Sequence, residues 1–290
     1  MADSIQGQIH KLAELSLVQQ RFVSDVSHEL RTPLTTIRLA SEMINDQRAG
    51  FDPATGRAAE LLHAQVERFE LLLTDLLEIS RYDAGSVQLE WELKSLTQLT
   101  EDVVASMHQL AEQHGSLVRV LSPGGHTPSL MDPRRVRRIV RNLIGNAIEH
   151  GEGRPIVVTI DSNREAVAVG VRDFGMGMRP EHVGHVFDRF WRADPSRKRS
   201  IGGTGLGLSI ALGDAHLHGG TLGVWSEPGR GTHFVLTLPR RRGIVEPESP
   251  IALEPSASAD DIAALLESTA PIDVSTLVEL NQPESRGEGR

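Results

Sequence analysis

The chain has 290 residues, a formal net charge of -9 and no cysteine. That length exceeds a usual single domain, the missing thiols exclude a disulfide framework or a thiolate metal site, and no apolar run reaches the roughly 18–20 residues that span a bilayer. From Gly243 onward ten acidic residues face only Arg286 and Arg290, a net of -8, which leaves about -1 for the rest and does not favour a nucleic-acid-binding core.

Apolar residues at Ile5, Ile9, Leu12, Leu15, Val18, Phe22, Val26, Leu30, Leu34 and Ile37 recur three or four apart, which predicts one long helix to about Asn45. His28 stands two positions beyond Val26, roughly 200° around the helix from the apolar seam, and so faces water. Its neighbours suit a nucleophile. Glu29 can take the proton of one ring nitrogen and sharpen the other. Thr32, one turn on, can orient a water, and Pro33 loosens the helix beside them. Gly50, Pro53 and Gly56 mark a loop, and a second helix is expected from about Ala58 to Arg81 with Leu62, Val66, Phe69, Leu73 and Leu76 on one face. Such a hairpin cannot cover its own stripe, so two copies are expected to pair as a four-helix bundle, a homodimer. Tyr82, Asp83, Ala84 and Gly85 read as a hinge.

Beyond the hinge, strands alternate with helices. Strands are expected at Val87–Leu93, Leu117–Leu121, Ile156–Asp161 and Ala166–Asp173, and a closing hairpin at Thr221–Ser226 and Thr232–Leu238. Helices are expected at Leu96–His114, from Asp132–Pro133 (an N-cap and an N1 proline) to about His150, from Glu181, and up to about His218. The pattern lacks the strict alternation of a doubly wound sheet and reads as an α/β sandwich with mixed strand order. After Arg242 the chain is rich in proline, serine and acid and is expected to be mostly disordered. The resulting division is 1–84, 85–240 and 241–290.

Asn142 and Asn146 share a helix face, where two carboxamides can offer oxygens to magnesium or serve as local hydrogen-bonders. Asp173 ends a strand and can accept from an exocyclic amine, while Gly175 and Gly177 let a flat ring approach, although the same residues also build ordinary turns. Gly203, Thr204, Gly205, Leu206 and Gly207 lead into a helix whose N-terminus and amides can cradle phosphate, or form a simple flexible loop. The arginines 134, 135, 137, 138 and 141 read as a solvated face, and His182, His185, His216 and His218 as poor metal candidates.

The stretch Ser27-His28-Glu29-Leu30-Arg31-Thr32-Pro33-Leu34 resembles the H-box of sensor histidine kinases. Asn142–Asn146, Asp173–Gly177, Phe187–Arg192, Gly203–Gly207 and Gly229–Thr232 resemble, in order, the boxes of their GHKL (Bergerat-fold) ATP-binding domain. Over roughly 5–239, the resemblance implies a helical dimerisation and phosphotransfer domain followed by that ATP-binding fold. It implies ATP and Mg2+ as cofactors, His28 as phosphoacceptor, Asn146 as the magnesium ligand, Asp173 at the adenine amine and Arg192 at the terminal phosphates. His150 lies where the family often has an aromatic residue at the nucleotide, and 193–202 would form a lid. Glu149 departs from a position that is often basic. The stretches from Phe22, Asn146 and Phe190 resemble actinobacterial members in particular. A response regulator as phosphoryl acceptor is implied, with possible phosphatase activity. So is an N-terminal sensor and membrane anchor absent from this sequence, with the present portion in the cytoplasm. A GHKL ATPase and a non-catalytic regulator-binding scaffold are the rival readings.

Overall fold

The computed structural model describes residues 30, 33–85, 87–192, 204–244 and 246–255, which fall into two compact units. His28, Glu29, Thr32, Gly203 and the lid stretch lie outside the described residues. None of the described helices is long and apolar enough to cross a membrane.

The first unit is a helical hairpin. Helix α1 is described over residues 33–46 and is followed by a 3-10 turn, Arg48–Gly50. Helix α2 (Pro53–Asp83) starts five residues earlier than the apolar pattern alone suggests. Asp52 caps it, its Oδ1 accepting from the amides of Ala54 at 3.0 Å and Thr55 at 3.2 Å, and Pro53 fills N1, where no amide is needed. Leu34, Ala59, Val66 and Ile79 are buried. Ser41 Oγ lies 3.4 Å from His63 Nδ1, and Arg38 reaches Glu70 at 3.7 Å, so the two helices run past each other. Of the expected stripe on α2, Val66 is buried but Leu62, Phe69 and Leu76 are exposed. Residues 204–210 also belong to this unit: Leu206 and Ile210 pack on Ile79 with Tyr82 beside them.

The second unit holds a five-stranded sheet in the order β2–β4–β5–β7–β6, with β2 (Val118–Leu121) parallel to β4 (Ile156–Ser162). Strands β5 (Ala166–Asp173), β6 (Thr221–Glu227) and β7 (Gly231–Pro239) complete it antiparallel. Helices α3 (Leu96–Gln113) and α4 (Pro133–His150) pack together, and α4 lies on β5. On α4, Val136, Ile139, Val140, Leu143, Ile144, Ala147 and Ile148 are buried at helical spacing. The strand expected at Val87–Leu93 is shorter and later, β1 (Glu92–Lys94). Its partner β3 (Ser129–Met131) offers three rungs before Asp132 turns to capping α4.

One expectation needs correction. The arginines of α4 are not all solvated: Arg135 and Arg138 bind Asp214, a fully buried carboxylate on α6 (Gly207–Leu217). His218 is a satisfied core histidine, its Nε2 accepting from the Asp132 amide at 3.0 Å and its Nδ1 donating to the Asp214 carbonyl at 2.7 Å. Within the tail, expected to be mostly disordered, residues 246–255 are packed. Ile251 is 3% exposed against Ala168 and Val235, and Asn163 Nδ2 donates to the Glu248 carbonyl at 2.9 Å. Composition averaged over the whole tail conceals these few anchoring residues. The short helix α5 (Pro180–Val183) follows β5.

Candidate functional site

Helix α4 carries Asn142, Asn146 and His150 at successive intervals of four, so all three share one face. Each is half-buried at the border of the apolar stripe. Beside the C-terminal end of α4 stands the end of β5. Asp173 is 3% exposed there, and its Oδ1 accepts the Gly175 amide at 3.0 Å and the Thr232 amide at 3.2 Å. Burial pushes this carboxyl up to about 6, against the opposing pull of those amides and of Arg172. Fixing Oδ1 in this way leaves Oδ2 available to an incoming donor.

Glycine is required in the loop that follows. A Cβ on Gly175 would overlap the His150 carbonyl and Gly151 Cα, both backbone, so Gly175 is what lets the loop lie directly on the end of α4. Gly177 and Gly231 have φ of 63° and 81°, and each faces backbone at a distance no side chain would allow. Met178 donates its amide to Ser226 Oγ at 2.9 Å, and that hydroxyl donates to the Gly231 carbonyl at 2.9 Å. The loop is therefore laced to the β6–β7 turn. Arg154 Nη1 adds a 2.7 Å bond to the Phe174 carbonyl.

Arg172 precedes Asp173 and points to the other face of the sheet. Its guanidinium lies 4.6 Å from the Trp225 ring and 5.1 Å from Phe174, and it donates to the Arg230 carbonyl. Burial, with Arg230 nearby, pushes it down to about 10.

The structure thus brings Asn142, Asn146, His150, Asp173, Gly175 and Gly177 into one unit. Thr204, Gly205, Leu206 and Gly207 belong to the other unit. There Thr204 Oγ1 donates to Asp75 Oδ2 at 2.6 Å and accepts the Leu206 amide at 3.1 Å, and Gly205 takes φ 78°. Arg192 is half-buried after a run of turns in which Phe187 meets Phe234 edge-on at 6.3 Å. His182 stacks edge-on with Trp191, and His185 pairs with Asp188 at 2.7 Å. Thr232 is a contributor that the sequence placed in a glycine box without a role. Among the described residues no three His, Cys, Asp or Glu side chains gather as a metal site. The half-buried Asn146 side chain offers a carboxamide oxygen, a donor type that fits magnesium.

A family model described as the His Kinase A (phospho-acceptor) domain matches residues 18–85, and one described as the histidine kinase-, DNA gyrase B- and HSP90-like ATPase matches 131–242. Among curated relatives, sensor histidine kinase MtrB of Mycolicibacterium paratuberculosis is 47% identical over 271 residues, covering 93% of this chain and 48% of that protein. MtrB of Mycobacterium tuberculosis is 48% identical over 88% of this chain and 45% of its own length. WalK of Bacillus subtilis is 34% identical over 76% and 36%. The chain therefore spans about half the length of the curated relatives it matches. In fold it is similar to full-length ShkA in complex with AMPPNP (TM-score 0.66, 24% identity, 75% of this chain and 45% of that one). It is also similar to Acinetobacter baumannii histidine kinase AdeS (TM-score 0.55, 22% identity, 74% and 98%).

Proposed function

This chain belongs to the sensor histidine kinases, and we propose on that premise that it transfers the γ-phosphoryl group of ATP to His28 and thence to an aspartate of a response regulator. The observation that carries the reading is the buried Asp173 carboxylate, held by two backbone amides at 3.0 and 3.2 Å beside a glycine that admits no side chain. It is a fixed acceptor, which suits the exocyclic amine of an adenine ring.

Residues 1–84 serve as the dimerisation and phosphotransfer domain and 85–240 as the ATP-binding domain, with 246–255 added to it. Asp173 Oδ2 accepts the adenine amine, and Gly175, Gly177 and His150 border the base. Asn146, with Asn142 a turn before it, would hold magnesium, which when bound would neutralise phosphate charge. By the family resemblance, Arg192 and the residues Gly203, Thr204, Gly205, Leu206 and Gly207 receive the phosphates. One ring nitrogen of His28 attacks the γ-phosphorus, the bond to the ADP oxygen breaks, and Glu29 accepts the proton of the other nitrogen. The regulator's aspartate takes the phosphoryl group from the imidazole, and Thr32 orients water for its later removal. Two copies pair through the exposed stripe of the hairpin, and MtrB-like similarity points to a regulator of the MtrA type. An N-terminal region of the intact protein anchors it in the cell membrane, with this portion in the cytoplasm.

The test is incubation with γ-labelled ATP and magnesium, comparing the wild-type chain with His28→Ala. Acid-labile, base-stable label that vanishes in the variant is expected. Label that survives His28→Ala, or phosphate release without any label, would overturn the assignment in favour of another acceptor or an ATPase.

A further inference from the structure

Residues 246–255 lie beyond the 131–242 span of the matched ATPase family, yet they are packed against the sheet. The part of the face they cover is rich in small residues beside one histidine. Ala168 and Gly170 on β5, Gly223 on β6, and His233 and Val235 on β7 alternate onto it. Ile251 fills the space over Ala168 and Val235. A Cβ at Gly223 would stand 3.0 Å from Leu253 Cδ1, so that glycine makes room for the leucine. The segment is tied at both ends: the Glu246 amide donates to the Gly219 carbonyl at 2.9 Å, and His233 Nδ1 donates to the Leu253 carbonyl at 2.9 Å. His233 is 4% exposed, and Thr232, the residue before it, gives its amide to Asp173 Oδ1 at 3.2 Å.

We infer that residues 246–255 form a strap that belongs to the ATP-binding domain, and that His233, gripped by Leu253, is a positioning residue that keeps the Thr232 amide on Asp173. The inference rests on the reading of Asp173 as the adenine acceptor. Two successive residues of β7 point to opposite faces, so the strap outside and the carboxylate inside pull on adjacent points of one strand. With the strap released, β7 loses the bond that fixes its outer side, and Asp173 loses the constancy of one of its two amide donors.

The test uses the full chain and four variants. Ile251→Asp places a charge in the apolar seat and expels the strap, His233→Leu removes the donor, His233→Asn keeps an N–H near Nδ1, and Asp173→Ala is the control. Affinities for ADP and GDP are measured well below the melting transition, with hydrogen exchange of 231–235 and 246–255. In the wild type the strap amide of Glu246 is expected to be protected. Ile251→Asp and His233→Leu should remove that protection, speed exchange at Thr232 and weaken ADP about two- to tenfold. GDP should change less, so the preference for adenine narrows, and His233→Asn should restore it. General loosening would weaken both nucleotides alike. Unprotected exchange of 246–255 in the wild type, or an intact adenine preference in Ile251→Asp, would overturn the inference while Asp173→Ala still lost ADP. Unchanged ADP affinity in Asp173→Ala would instead overturn the adenine reading beneath it.

Discussion

Arg138 and Asp214, 76 positions apart, meet in a fork: Nε and Nη2 of the arginine both donate to Oδ2 of the aspartate, at 2.9 and 2.6 Å. Oδ1 of the same carboxylate takes Nη1 of Arg135 at 2.8 Å. One fully buried anion thus holds two arginines of α4 and fastens that helix to α6. Removing it takes from two partly buried cations the carboxylate they share, although Arg135 keeps Asp132 at 3.7 Å. Asp214→Ala is expected to cost about 3–5 kcal/mol of stability, read from denaturant unfolding. A loss under about 1 kcal/mol would mean that the arginines find water instead.

Asp173 bears on ligand affinity as well as on folding. Asp173→Ala deletes the acceptor for the exocyclic amine and leaves that amine unpaired. The expected loss is about 1–3 kcal/mol, or roughly five- to 150-fold in ADP affinity by calorimetric titration. An unchanged dissociation constant would sink the adenine assignment.

Gly175 and Gly184 make a matched pair for substitution. At Gly175 a methyl group meets the His150 carbonyl and Gly151 Cα, neither of which can rotate away, whereas at Gly184 nothing lies within 4 Å. Gly175→Ala is expected to lower stability by about 1–3 kcal/mol and to weaken nucleotide binding together with it. Gly184→Ala should leave both within error. Thermal melts with and without ADP read the two quantities in one experiment.

Acid acts on the sheet in two opposite senses. Burial pushes His233 down from 6.5 to about 4, with Arg172 adding to the effect. Between those values the unfolded chain binds the proton and the folded one does not, so stability falls as pH drops from 6.5 to 4. Asp173, raised from 3.8 to about 6, holds its proton in the folded state over most of the same range, so it gains stability on acidification. Each contributes roughly 3 kcal/mol across its window. His233→Asn should therefore lose less stability than the wild type on going from pH 7 to pH 4, and Asp173→Ala should lose more. Parallel stability–pH curves for all three proteins would show that neither group carries the shift. His218, lowered by burial in the same way, persists in each and sets a common slope.

Much of this was legible from residue types alone where local chemistry is strong. Asp132–Pro133 announces α4 by capping and fixed φ, and the strand Ala166–Asp173 is bounded as its apolar run suggests. The same cap at Asp52–Pro53 was hidden because Gly50 and Gly56 around it read as loop, although Gly56 sits within the helix's first turn. Asp173 and its glycines could be singled out, but not the Thr232 amide, since a backbone donor 59 positions away leaves no mark on side-chain pattern. The partners of Arg135 and Arg138 were illegible for the same reason: a buried aspartate in α6 looks like any polar residue until the helices pack. The strap shows the limit of composition, because a segment with three prolines and three glutamates over 246–255 is held by Ile251, Leu253 and a few backbone bonds.

Ile37, Met43, Leu61 and Phe69 of the hairpin stand more than half exposed, the largest fraction being 66% at Met43. Apolar area of that kind is sheltered when two copies associate, so the folding free energy of the hairpin carries a concentration in it. Dilution then acts on this half of the molecule as a mild denaturant, while the sheet half, whose core is closed within one copy, is indifferent to how many neighbours it has.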